Sequence, residues 1–176
     1  MKSLRKTILF GMLFAMACTG CASNSENADK NNIDNSNKEV TVAYHREGEL
    51  PMVKAMTGAS TDLQVKTEET MTLYAKEDNA SKLSYEVKYT PATEASEEDM
   101  EILEKFIKSD YTSTMKTSTV ATKVDNGSVV LTLTCDFATC TDDLSRIQLN
   151  SEDIKDGQYP MNQLDKLLKD AGYTKA

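Results

Sequence analysis

Residues 120–137, VATKVDNGSVVLTLTCDF, decide the fold. Val120, Thr122 and Val124 alternate up to Asp125-Asn126-Gly127. Asn-Gly is the pair that a two-residue type I′ turn requires, because both central positions take positive φ. Beyond the turn Val129, Leu131, Leu133, Cys135 and Phe137 again share one parity. A period of two marks a strand buried on one side. The stretch is therefore a β-hairpin with one apolar face, and such a face needs a second layer to cover it.

Upstream, the same period recurs. Residues 82–90, KLSYEVKYT, place Leu83, Tyr85, Val87 and Tyr89 on one side. Residues 63–75, LQVKTEETMTLYA, align Leu63, Val65, Met71, Leu73 and Ala75. Their alternation falters at Glu69, which predicts a bulge or a strand end there. KEDNAS between these runs carries turn chemistry. A shorter strand is expected at 40–44, VTVAY. Between the hairpins lies a helix. Ser96 with Asp99 resembles a capping box, Glu97 and Glu98 suit the positive end of the helix dipole, and Met100, Leu103, Phe106, Ile107 and Tyr111 follow at helical spacing.

Downstream, Leu144, Ile147 and Leu149 suggest one more strand. Ser151–Asp156 reads as a helical turn ended by Gly157. A last helix runs from about Pro160 to Ala171, with Met161, Leu164, Leu167, Leu168 and Ala171 as its stripe and Gly172 as a left-handed stop. Strands, helix, strands, helix, joined mainly by hairpins, give an α+β fold. The expected architecture is an antiparallel β-sheet packed against a middle helix and a C-terminal helix.

The first 21 residues, MKSLRKTILFGMLFAMACTGC, read as a bacterial lipoprotein signal peptide. Lys2, Arg5 and Lys6 precede an uncharged apolar run at 7–17, too short for a span of about 20 residues. The small and apolar residues ahead of Cys18 favour it as the lipidated cysteine, with Cys21 the alternative. Signal peptide 1–17, lipidated N-terminus and tether 18–38, and one domain at 39–176 are the expected divisions. Residues 19–38 hold six asparagines and three serines with almost nothing apolar. Such a segment cannot bury enough surface to order itself, and its reach is roughly 25 Å. The expected location is outside the cytoplasm, anchored to the membrane by lipid.

Losing the three leader cations from 20 basic residues, against 28 acidic, moves the net charge from −8 to about −11. A domain this acidic excludes a phosphate-binding nucleic-acid surface. Arg46 and Arg146 are its only arginines.

Residues 151–173, SEDIKDGQYPMNQLDKLLKDAGY, resemble the YehR-like bacterial lipoproteins, the DUF1307 family. The matching residues are Ser151, Glu152, Asp153, Gly157, Met161, Gln163, Leu164, Ala171, Gly172 and Tyr173. The resemblance implies a small surface lipoprotein of α+β fold, and it supplies no catalytic motif.

Candidate chemistry is sparse. His45 is the only histidine, which excludes His-rich metal sites; a surface position at a strand end is expected. Cys135 and Cys140, spaced C-x₄-C, are read either as a disulfide suited to an oxidising compartment or as a buried free thiol. Glu97, Glu98, Asp99 and Glu101 serve a helix start. Asp142, Asp143, Glu152, Asp153 and Asp156 lack calcium-loop spacing and are read as solvated loop charge. Tyr85 and Tyr89 are read as sheet packing. No metal, cofactor or catalytic residue is expected. The expected function is a non-enzymatic envelope module binding a partner protein or a small ligand. The alternative is an envelope hydrolase with an unlocated carboxylate site.

Overall fold

A computed structural model describes residues 38–50 and 64–176. The predicted signal peptide, Cys18, Cys21, the tether and Leu63 lie outside the described residues.

Strand β1 (Val40–Leu50) pairs with β2 (Val65–Lys76), β2 with β3 (Asn79–Pro91), and β3 with β5 (Ser128–Asp136), which pairs with β4 (Thr119–Asp125). All these pairings are antiparallel. Helix α1 (Glu97–Thr114) separates β3 from β4. After β5 come a 3-10 helix at Thr141–Ile147 and a single turn at Ser151–Asp153. Two-residue β6 (Tyr159–Pro160) joins β3, helix α2 (Met161–Asp170) follows, and β7 (Thr174–Lys175) pairs with β1.

The fold is the expected α+β sandwich. One face of the sheet carries Tyr44, Met71, Leu73, Leu83, Leu131 and Leu133, all fully buried. Met100, Leu103, Ile107 and Tyr111 of α1 and Leu164 and Leu168 of α2 complete that core. At Ser96 the hydroxyl accepts the Asp99 N–H at 3.1 Å, as the cap requires. Asn126 and Gly127 take φ of 48° and 74°, the turn read from the sequence.

Three readings are corrected. Leu144, Ile147 and Leu149 form no strand: Leu144 and Ile147 lie three apart on the 3-10 helix, where such residues share a face. Beyond the turn at Ser151–Asp153, Asp156 and Gly157 take φ of 52° and 72° in a separate reversal. Glu69 neither bulges nor ends its strand. It pairs in register with Arg46 and Val87, and the irregularity falls at Tyr74/Ala75. Strand β1 also runs on past Tyr44, because HREGEL stays paired with β2 as far as Leu50↔Val65. Its polar composition hides that continuation.

Candidate functional site

Because β2 stays in register at Glu69, that residue stands on the inner face among apolar neighbours, its side chain 11% exposed. A buried carboxylate is costly unless paired and hydrogen-bonded. Arg46, on the inward parity of Val42 and Tyr44, meets that need. Its Nη2 straddles the carboxylate, 2.9 Å from Oε1 and 2.8 Å from Oε2. Tyr85 and Tyr173 donate their hydroxyls to Oε2 at 2.6 and 2.5 Å. Burial alone would raise the Glu69 carboxyl. The Tyr173, Tyr85 and Arg46 hydrogen bonds outweigh it and hold the group below the usual carboxylate range. Burial first, then the neighbouring tyrosines and Glu69, push the Tyr85 phenol well up, so it remains a donor.

Tyr173 reaches Glu69 through the end of α2. Gly172 has φ of 87°, its N–H bonds Lys169 O at 3.0 Å, and the Tyr173 N–H bonds Leu168 O at 2.9 Å. These are the two bonds of a Schellman cap. They turn the chain so that Tyr173 lies under the Arg46 guanidinium, 4.4 Å from the ring centre. Arg46 Nη1 donates to Ala171 O at 2.9 Å, closing the corner.

The opposite wall comes from the 3-10 helix. Arg146 lies 4.7 Å over the Tyr111 ring and pairs with Asp110. Gln148, at the end of that helix, is a non-glycine residue at φ 64°. Asp143 fixes the segment: it is buried and accepts the N–H groups of Lys116, Thr117 and Ser118 at 2.8, 2.9 and 2.7 Å. Burial would raise the Asp143 carboxyl, but these backbone donors prevail and hold it far below the ordinary range. The segment is also tied to β5 through the Cys135–Cys140 disulfide, whose Cα atoms are 5.6 Å apart.

Between the walls lies a cavity of 220 Å³ that includes Arg46, Glu69, Gln148, Arg146 and four tyrosines, at 85, 89, 111 and 173. A second cavity of 200 Å³ shares Leu50, Tyr89, Tyr111 and Arg146 with it and adds Phe106, Ile107 and Asp110. Both arginines of an acidic domain therefore line one pocket. A wider depression of 480 Å³ at the β1–β2 ends is bordered by Glu47, Glu49, Lys66 and Glu68, all exposed.

His45 is exposed on the other face of the sheet, 2.9 Å from Thr70 Oγ1, and takes no part in the pocket. Glu97 and Glu98 sit in the first turn of α1, as expected. The reading of Asp143 as solvated charge is overturned by its burial and its backbone donors. Among the described residues no cluster of three metal-ligating side chains occurs. None of their helices is long and apolar enough to cross a membrane. Tyr85 and Tyr89 do pack in the core, but they also wall the pocket. The set Arg46, Glu69, Arg146 and Tyr173 matches no sequence motif. Its available signals were a charge on apolar parity in two adjacent strands, and the scarcity of arginine.

No family model matches the chain, and no curated protein shows significant similarity to it. Among solved structures, the NMR structure of the E. coli YehR protein is similar, with a TM-score of 0.52 and 20% identity, over 80% of this chain and 92% of that one. An NMR structure of a protein from Streptococcus pneumoniae TIGR4 aligns over 90% of this chain and 99% of that one, with a TM-score of 0.44 and 15% identity. The chain thus has a YehR-like fold.

Proposed function

We propose that this protein is an exported YehR-like lipoprotein, anchored through Cys18 or the alternative Cys21, whose domain is a non-enzymatic module that binds a small envelope ligand in the Arg46–Arg146 pocket. The observation that carries the binding reading is the convergence of both domain arginines and four tyrosines on one cavity. Pockets that combine aromatic walls with a few fixed polar groups are the usual form of small-ligand sites. Glu69 supports a non-enzymatic role, since its oxygens are occupied by Arg46, Tyr85 and Tyr173 and its carboxyl is held ionised. A general acid needs the opposite shift. A small ligand is favoured over an apolar protein partner because the large hydrophobics exposed among the described residues are Val40 and Val124, on separate strands.

The anchor rests on the leader sequence and the two-chain requirement for stable membrane attachment. Mass spectrometry of the mature protein should find a diacylglyceryl cysteine at the N-terminus; an unmodified N-terminus removes the anchor. Native mass spectrometry of the protein extracted from membranes tests the module itself. A small molecule retained by the wild type and lost in the Arg46→Ala/Arg146→Ala variant supports it. Equal retention by both places the site elsewhere.

A further inference from the structure

We propose that the pocket selects a small organic anion, with one carboxylate received by Arg146 and an apolar body seated against Leu50, Phe106 and Ile107. The inference deepens, and rests on, the reading of this cavity as a ligand site.

Donors and acceptors in the pocket are unequally engaged. Glu69 is saturated: both its oxygens are bound by Arg46, and Oε2 also accepts from Tyr85 and Tyr173. Arg46 is likewise engaged, with Glu69 on one nitrogen and Ala171 O on the other. Arg146 is different. A guanidinium offers five N–H donors, and among the described residues only its Nη2 has a hydrogen-bond partner, Asp110. Asp110 is 44% exposed and Arg146 37%, so solvent weakens that ion pair. The hydrogen-bonding capacity left in the pocket is therefore mostly donor, and a ligand must bring acceptors. The Glu49 carboxylate also borders the cavity, but it is exposed and solvent-screened.

The shape of the pocket points the same way. Arg146 lies where the 220 Å³ polar cavity meets the 200 Å³ cavity containing Phe106 and Ile107. Its guanidinium lies 4.7 Å over the Tyr111 ring, a contact that holds it at the cavity wall where its fork can receive a carboxylate. A ligand reaching from this junction into the second cavity meets the Arg146 cation first and the Phe106 and Ile107 hydrocarbon beyond it, beside the Asp110 carboxylate that is already paired with Arg146. A free inorganic anion would leave the Phe106 and Ile107 side unfilled.

The test uses the full-length chain in detergent micelles, isotopically labelled, titrated with phenylpropionate, its neutral amide and the matching amine. The acid should shift the resonances of Tyr111, Ile147 and Gln148 and bind about tenfold tighter than the amide, as the loss of a charge-assisted contact predicts. Arg146→Gln should abolish the preference for acid over amide, and Arg146→Lys should keep the preference at weaker affinity. Amide or amine binding as tightly as the acid overturns the anion proposal and leaves the pocket reading standing. So does an Arg146→Gln variant that retains the preference. If none of the three probes shifts pocket resonances, both the proposal and the pocket reading fall. The wild-type comparison of acid with amide decides the matter even if a variant fails to fold.

Discussion

Glu69 ties three chain segments together with one carboxylate, since Arg46, Tyr85 and Tyr173 come from β1, β3 and the end of α2. Glu69→Gln keeps an acceptor but removes the charge facing Arg46, and should cost about 2 kcal/mol in urea unfolding at neutral pH. Because the folded carboxyl is held below its ordinary value, its contribution is present above about pH 4. It is lost as pH falls through the depressed folded value. The urea midpoint of the wild type should therefore fall on acidification more steeply than that of Glu69→Gln. Asp143 obeys the same sign. Asp143→Ala orphans three backbone N–H groups and should destabilise by about 3 kcal/mol, measured by thermal or urea unfolding. Neither role was legible in the sequence. A single Glu on apolar parity resembles a strand defect, and an Asp in an acidic loop resembles solvated charge; each gains its meaning from residues far along the chain.

At the scale of elements the sequence was more informative, and the reason is locality. The β4–β5 hairpin rests on a turn with its own backbone demand, α1 on its cap, and β3 on strict alternation. The Schellman end of α2 was visible in Gly172, though where it sends Tyr173 was not. Gly172→Ala meets no clash, since Arg46 Cδ lies at an ordinary contact distance of 3.8 Å from the added Cβ. Its cost should therefore come from the backbone, about 1–2 kcal/mol, read as a lower melting temperature. The 3-10 helix was misread because its order comes from outside: the Asp143 contacts and the disulfide. Reducing Cys135–Cys140 should cost about 2 kcal/mol, or several degrees in melting temperature, with chemical shifts changing first around Arg146 and Gln148. A melting temperature unmoved by reductant would show that Asp143 alone holds the segment.

Among the described residues the sheet is covered on one face, and both α-helices there pack on the face that also holds the pocket. Order within it follows from sequential hairpins, with β3–β5 spanning α1 and β4, and with β7 returning to β1. That much could be anticipated from element order, whereas the neighbour of β1 at its outer edge could not, since two residues of β7 carry no pattern. The full-length pairing of β1 has a mechanical consequence. Its eleven residues extend about 34 Å. A tether would join at Val40, while Arg46, Glu49 and Leu50 border the pocket toward the other end. If the domain is held at a membrane through residues before Val40, the pocket lies toward the end of β1 farther from that attachment point. Tension between anchor and bound ligand would then run along β1, loading its ladder to β2 in shear. Many hydrogen bonds must break together in that geometry, so single-molecule pulling from the N-terminus should meet its highest force at the detachment of β1.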